Sequence, residues 1–499
     1  MKPLILDGYS LTLEDMYEVV FKRRSVRIAE SAKPRVRKGR QLLFDLAAKG
    51  EPVYGLNRGV GWNKDKEFDE DFFERYNRNL LNSHCLGVPP YNTTEEVRAL
   101  LLIRLNKALT GHTGISLELL HLYEAFLNEG IHPRVPCRAS IGEADIATLS
   151  HVGLAFIGEH DVEYNGRVIS SKEAMKEAGL SPAKLGPKDG LSIVSSNAQG
   201  EAMVYILLET IKRLVRLSNR VAAMSLEGLN GVVESYREDV NGLRQLPGQI
   251  HAARDFREDL TGSYLYKPDK ERALQDPLSF RCAHAIHGAV YDAILYIERI
   301  LRVQLNTSDD NPCIMPDEKK VYVSGNFETL SLALGVEMLG TALSHLSKTS
   351  CYRMIKLADP AFTHLNRFLT PKEVTTIAYG TIQKTFTMLD TENRMLANPS
   401  SMDFYALAGT IEDHASNLPL TVNKMNKMID NIYYILGIEA MHGAQAIDLR
   451  KEITLGQGTK LLYSQLREKV SFLAEDRNLS VDIGKAYEVI KKSAATIQL

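Results

Sequence analysis

Five long runs with helical periodicity and little glycine or proline constrain this chain most. Residues 200–229 (GEAMVYILLETIKRLVRLSNRVAAMSLEGL) carry Val204, Leu207, Leu208, Ile211, Val215 and Leu217 at the spacing of one helix face. Residues 282–304, 328–349, 371–396 and 419–446 read the same way. Convincing alternating strands are few, VYVSG at 321–325 being the best. Residues 1–195 have shorter helices, broken by Gly- and Pro-rich loops at 55–61, 86–90 and 130–143, and residues 230–276 are polar and irregular. The expectation is an all-α protein: a loop-rich N-terminal region over 1–195, then a long-helix bundle with C-terminal helices over 196–499. Helices too long for a compact monomer core pair with other chains, so an oligomer is expected.

Charge narrows the function classes. The chain has 60 Lys+Arg against 62 Asp+Glu, a formal net charge of −2, which gives no sign of a general nucleic-acid or membrane-surface binder. No stretch approaches the roughly 18 consecutive apolar residues of a membrane helix. The N-terminal MKPLILDGYSLTLED lacks the parts of a secretory signal. Cys85, Cys137, Cys282, Cys313 and Cys351 are scattered without a CxxC, the pattern of reduced thiols in a cytoplasmic protein. No nucleic acid and no membrane is expected as a partner.

Generic motifs are nearly absent. There is no Walker loop and no HExxH, and Gly59-Val60-Gly61 lacks the third glycine and preceding strand of a dinucleotide fingerprint. His284 and His287 stand at i, i+3 on a helix. With no further ligand run nearby they read as a packed or surface pair, and no metal is expected. Glu412-Asp413-His414 is a dense polar cluster in a helical region, which alone would be a solvated face.

Longer strings carry more. They are YGLNRGVG at 54–61, NLLNSHCLG at 79–87, HPRVPCRASIGEADIATLSH at 132–151 and QDPLSFR at 275–281. SDDNP follows at 308–312, SGNF at 324–327, ENRMLANPSS through IEDH at 392–414, and IEAMHGAQAIDLR at 438–450. In this order and at these separations they resemble the aromatic amino acid ammonia-lyases, most closely the histidine ammonia-lyases, over roughly residues 45–450. The resemblance implies an ammonia-lyase/fumarase-like fold and a homotetramer with active sites shared among subunits. It also implies roles by position. Tyr54 matches the catalytic base, and His84 the histidine at the side-chain end of the substrate. Gln275 and Arg281 match a string whose arginine grips the substrate carboxylate, and Phe327 stands beside the ring. Glu412 matches an acid typical of histidine-specific members. Singly, Tyr54 reads equally well as a core tyrosine, Arg281 as a helix ion pair and Glu412 as a surface acid.

Departures from the family are as informative. Its Ala-Ser-Gly triad cyclises into a methylidene-imidazolone electrophile. Here the string reads ASIGEADIATLSH, with Glu143-Ala144 where the triad should be. Cyclisation needs a serine hydroxyl to lose as water, and no Ala-Ser-Gly occurs elsewhere in the chain. The family's active-site asparagine falls near Ser195, which leaves Ser195 and Asn197 as alternatives for its place, and its second catalytic tyrosine is Leu278. Lys384 falls in an otherwise apolar helix, where it either snorkels or acts in the site.

A betaine substrate accounts for the missing electrophile. A quaternary trimethylammonium has no lone pair to add to it, has no N–H to compete for the base, and leaves as a neutral amine. A carboxylate such as Glu143 suits that permanent cation. The combination resembles the ergothionase branch of the family, which works without the prosthetic group. The expected reaction is elimination of trimethylamine from ergothioneine, a small zwitterion, to give thiourocanate. The expected catalytic residues are Tyr54, Lys384 and Glu412, and the expected binding residues His84, Glu143, Asn197, Gln275, Arg281 and Phe327. No organic cofactor is implied. A lysine or arginine is expected to lower the Tyr54 pKa. The alternatives are a histidine ammonia-lyase-like enzyme acting on histidine or hercynine, and a non-catalytic scaffold.

Overall fold

Threonine caps and apolar periodicity set the helices of this computed structural model, which describes residues 2–67, 73–371 and 376–497. In chain order the helices are α1 Leu13–Val20, α2 Ala32–Ala48, α3 Phe73–His84, α4 Thr94–Ala108, α5 Leu117–Glu129, α6 Ile146–Phe156, α7 Ser171–Glu177, α8 Asp189–Val194 and α9 Ala198–Leu229. They continue as α10 Glu238–Gly242, α11 Pro247–Asp259, α12 Leu278–Arg281, α13 Ala283–Gln304, α14 Leu330–Leu357, α15 Pro360–Thr363, α16 Gln383–Leu396, α17 Leu418–Arg450, α18 Gln457–Arg467 and α19 Leu479–Thr496.

The all-α expectation holds. The described strands have four residues or fewer and pair in small sheets: Leu4–Leu6 with Val26–Ile28 in parallel, the other pairings antiparallel. The expected strand at 321–325 shrinks to Lys320–Tyr322, paired with Cys313–Met315. The run at 371–396 becomes a 3-10 turn at Ala378–Gly380 followed by α16, and its residues 372–375 lie outside the described residues. Glu412 is not helical. It forms an antiparallel bridge with Leu407, because Gly409 at φ +65° breaks the turn before it.

The chain divides into two compact units. Unit 1 comprises residues 1–206, 297–334 and 399–422, and unit 2 comprises 207–296, 335–398 and 423–499. The expected boundary at 195/196 does not coincide with this division. That boundary tracked a change in helix length along the sequence, whereas unit 1 also takes in two later segments.

In unit 1, Thr93 opens α4 with a reciprocal capping box to Glu96, a pair of bonds that satisfies otherwise orphaned amides. Every residue of α4 from Glu96 to Ala108 is buried, including Arg98, Arg104 and Lys107. A helix buried all round is an inner helix, and α4 packs against α1 and α5. Beside it α3, α6 and α8 pack on one another and build the walls of the site.

Unit 2 is organised by the long runs. Leu207, Leu208, Ile211, Val215 and Leu217 of α9 are all buried, as their spacing predicts. Arg353 of α14 and Glu439 of α17 form a fully buried bidentate pair at 2.6 and 2.9 Å, and Ser225 of α9 adds a hydroxyl at 2.9 Å. His284 and His287 are buried in this unit too. His287 bonds Asn219 through Nδ1 at 2.7 Å, and His284 meets Tyr236 edge-on. By length and composition α14 is apolar enough to cross a membrane, with 56% of that stretch buried. The run is not continuously apolar, since Glu337 and several Ser, Thr and His residues interrupt it, and a largely buried core helix passes the same test of length and composition.

Candidate active site

Tyr54 stands at the foot of the glycine-bearing loop. The loop folds back by Gly55 N–H to the Arg58 carbonyl at 3.0 Å and Arg58 N–H to the Val53 carbonyl at 3.2 Å. Gly55 takes φ +72°, and a Cβ there would lie 2.1 Å from Leu191 Cδ2, so both backbone and space demand glycine. The fold-back aims the Gly61 amide at the Tyr54 hydroxyl, which accepts its hydrogen bond at 2.6 Å.

Tyr54 then shares one cavity of about 450 Å³ with His84 and Glu412. Trp62, Asn63, Tyr76 and Asn79 also line it, with Ile146 of α6 and Leu191 and Val194 of α8. His84 ends α3, and its Nδ1 donates to the Leu80 carbonyl at 2.8 Å, which assigns the ring proton to Nδ1 and leaves Nε2 as an acceptor.

Residues 140–145 form a tight turn held by several hydrogen bonds. Gly142, at φ +78°, receives the Ser416 hydroxyl on its carbonyl at 3.0 Å, and a Cβ on it would sit 2.3 Å from that oxygen. Asp145 accepts from Gly200 N–H at 2.9 Å and from the Ser140 hydroxyl. Glu143 bridges to Glu328 in antiparallel register. Burial first, then the charges of Glu412, Glu328 and Asp413, push the Glu143 carboxyl up to about 7. Of these, Glu328 pairs with His414 at 3.0 Å. The turn thus brings Glu143 under the fields of three further carboxylates.

Asn197 and Phe327 meet through the backbone: the Asn197 amide donates to the Phe327 carbonyl, and Asn197 N–H donates to Asp309 at 2.9 Å. The buried Asn197 Oδ1 has no hydrogen-bond partner among the described residues. The Ser195 hydroxyl is occupied, donating to the Asn311 carbonyl at 3.4 Å and accepting from Asn311 N–H at 3.2 Å.

Burial raises the Tyr54 pKa, the Gly61 amide opposes it, and Glu412 raises it further. This is opposite to the expected lowering by a cation, because the named charge acting on the phenol is a carboxylate. Neighbouring Tyr76 is pushed up to about 12, mainly by burial.

The remaining expected residues lie in unit 2. Gln275 Oε1 accepts from Arg281 Nη1 at 2.7 Å, and Arg281 Nε is buried without a partner among the described residues. Gln275 also lines a cavity of about 490 Å³ with Asp276, Lys356 and His364. Leu278 is exposed. Lys384 is not mid-helix: it lies in the first turn of α16, on the exposed side opposite buried Phe386 and Asp390. With Met388 and Met395 it lines an open groove.

Sequence reading passed over Trp62, Tyr76 and Glu328. Trp62 is the chain's single tryptophan, directly follows the glycine-bearing loop, and packs on Gly409. That rarity and position were the available signal. Glu328 gave none, since only the fold brings it to Glu143.

The family model for aromatic amino acid lyases matches residues 11–468. A histidine ammonia-lyase from Caldanaerobacter subterraneus subsp. tengcongensis is 33% identical over 492 residues, covering 98% of this chain and 97% of its own. One from Chloroflexus aurantiacus is 35% identical over 490 residues, covering 95% and 94%. Among solved structures, the ergothioneine-degrading enzyme ergothionase from Treponema denticola, in complex with desmethyl-ergothioneine sulfonic acid, is 68% identical. It has a TM-score of 0.98 and covers 99% of this chain and 100% of its own. Histidine ammonia-lyase from Trypanosoma cruzi is 27% identical with a TM-score of 0.86, covering 99% and 95%. Fold, motif order and these likenesses agree: the chain belongs to the aromatic amino acid lyase family and is a carbon–nitrogen lyase.

Proposed function

We propose that this lyase eliminates trimethylamine from ergothioneine, giving thiourocanate, without a methylidene-imidazolone electrophile. The observation that carries the reading is the charge at the degenerate triad. Burial first, and then the fields of Glu412, Glu328 and Asp413, keep Glu143 partly protonated near neutral pH. A trimethylammonium group supplies a permanent cation. The 68% identity to an ergothioneine-degrading enzyme supports the same substrate.

The reaction is a 1,2-elimination. The Tyr54 phenolate takes the β-proton, that C–H pair becomes the C=C bond, and the C–N bond breaks with its electrons on nitrogen. His84 and Glu412 hold the ring, whose two N–H groups suit a carboxylate and an imidazole acceptor. Asn197, with its free buried Oδ1, takes the place of the family asparagine better than Ser195, whose hydroxyl is occupied. Phe327 stands beside the substrate ring. Arg281, steadied by Gln275, takes the carboxylate by a charge-assisted contact. Lys384 offsets negative charge that builds on the thione ring. The Phe327 and Arg281 roles rest on the family resemblance, the Lys384 role on a departure from it, and all three on a homotetramer with shared sites. Five free cysteines suit a cytoplasmic setting.

The test is incubation with ergothioneine, hercynine and histidine, following trimethylamine and the absorbance of a conjugated acrylate. Product from ergothioneine is the expected result. Product from histidine alone, with ammonia, would sink the reading and favour an ordinary ammonia-lyase.

pH gives a second check. Glu143 binds a cation only when ionised, so kcat/KM for the betaine is expected to rise with pH through about 7. In Glu143→Gln that limb should flatten and affinity fall about fivefold, roughly 1 kcal/mol for a half-exposed charge contact. Fluorescence of the single tryptophan, Trp62, reports binding directly. The ligand-free variant should also melt higher than the native chain above about pH 7, with the gap closing as pH falls toward 4. A raised carboxyl pKa costs stability progressively as pH rises from the unfolded value of 4.5 to about 7. An unchanged limb in the variant would remove Glu143 from the cation site.

A further inference from the structure

Unit 1 gathers three metal-ligating side chains beside the cavity but outside its lining. Cys85 follows α3, His151 lies on α6, and His160 lies just beyond it. Their ligand atoms all lie within 4.8 Å of one another. Cys85 Sγ is 3.3 Å from His151 Nδ1, which is 3.1 Å from His160 Nε2. The His160 Nε2 is also 3.0 Å from the Arg134 carbonyl oxygen. A tetrahedral zinc ion with bonds of about 2.3 Å to sulfur and 2.0–2.1 Å to nitrogen has ligand-to-ligand edges of about 3.3–3.6 Å. The Cys85–His151 and His151–His160 separations fall within a few tenths of an ångström of those edges, and Cys85 Sγ also lies 3.5 Å from His151 Nε2.

Proton counting points the same way. His160 Nε2 has at most one proton for two acceptors, His151 Nδ1 and the Arg134 carbonyl. His151 Nδ1 in turn has one lone pair for the Cys85 thiol and that same imidazole. Hydrogen bonding therefore leaves the single His160 Nε2 proton to serve two acceptors at 3.1 and 3.0 Å. A cation at the centre would face all the lone pairs at once. His151 is only 6% exposed, and Gly87 makes room for its ring, since a Cβ there would stand 3.1 Å from Nε2.

We infer that Cys85, His151 and His160 form a site for a borderline-soft divalent cation of the zinc type, with the Arg134 carbonyl or a water as the fourth ligand. One thiolate and two imidazoles select zinc or cobalt over magnesium or calcium, which take oxygen ligands. Binding exchanges the Cys85 S–H proton for an S–metal bond and releases that proton to water. The inference is independent of the substrate reading, and its test needs no turnover.

The full-length chain, stripped with a chelator, is titrated with Co²⁺ and then with Zn²⁺. The expected result is one Co²⁺ per chain with a sulfur-to-cobalt charge-transfer band and tetrahedral visible bands, both erased by Zn²⁺. Cys85→Ser should abolish the charge-transfer band, and His160→Ala should weaken Co²⁺ at least tenfold, with helical circular dichroism unchanged in both. In the native chain, Zn²⁺ should slow alkylation of Cys85 and leave the other four cysteines unaffected. No charge-transfer band in the native chain, or an undiminished band in Cys85→Ser, would overturn the site. Equal alkylation of Cys85 with and without Zn²⁺ would overturn it as well, even if a variant failed to fold.

Discussion

Replacing Tyr54 with phenylalanine is expected to lower turnover of the betaine about 10²-fold or more, the range for loss of a positioned general base. The change removes one oxygen from the cavity and leaves the loop intact, because the fold-back bonds run through Gly55, Arg58 and Val53 backbone atoms. What is lost is the hydroxyl that accepts from the Gly61 amide, whose hydrogen bond favours the phenolate. In the free chain, burial and Glu412 hold the phenol protonated. An incoming permanent cation changes that balance: it pairs with the carboxylates and lowers the cost of a second negative charge on Tyr54. The effect should therefore fall on kcat, with Trp62 fluorescence showing betaine binding within about threefold of the native chain. A neutral substrate analogue without the quaternary nitrogen should bind without deprotonating Tyr54, seen as no new phenolate absorbance. Native turnover in Tyr54→Phe would exclude it as the base.

The helical frame was readable because burial in long helices writes itself as a period. Val204, Leu207, Leu208, Ile211, Val215 and Leu217 are buried as their spacing required. The site was readable where a string is short and local, as with Tyr54 and its glycines, or His84 at the end of a helix. It was unreadable where residues distant in sequence meet. The bridge of Glu143 to Glu328 joins positions far apart in the chain, and nothing near either one signals the other. The sign of the Tyr54 shift was misjudged for the same reason: the neighbouring charge is Glu412, placed by a bridge to Leu407 that no periodicity encodes. Lys384 was misplaced because Gly380 and the 3-10 turn move the helix start, and a boundary shift of a few residues turns a mid-helix lysine into a first-turn one.

Replacing Lys107 with methionine is expected to cost about 3–5 kcal/mol of stability, the range for breaking a buried pair on one side. Lys107 is fully buried, with Glu201 at 2.6 Å and Asp309 at 2.7 Å. Burial opposes its charge, but Asp309 and Glu201 outweigh that and hold its pKa up. Arg104 and Lys188 are taken up by Asp310, each at 3.1 Å, so they offer Glu201 no replacement. Burial already pushes Glu201 up to about 7, with Lys107 as the main opposing influence. In the variant Glu201 should bind a proton at neutral pH. A raised carboxyl pKa gives stability that is lost as pH rises through it, so the deficit should be smallest near pH 6 and grow toward pH 9. Activity should fall as well, because Asp309 anchors the Asn197 amide at 2.9 Å and the Ser196 hydroxyl at 2.9 Å. Removing both partners in Lys107→Met/Glu201→Leu leaves no orphaned carboxylate at position 201 and should recover at least half of the lost stability and flatten its pH dependence. Thermal unfolding of the native chain, the single variant and the double variant at three pH values decides it. A single variant within about 1 kcal/mol of native, or a double variant less stable than the single, would mean that Lys107 and Glu201 do not hold this core as a pair.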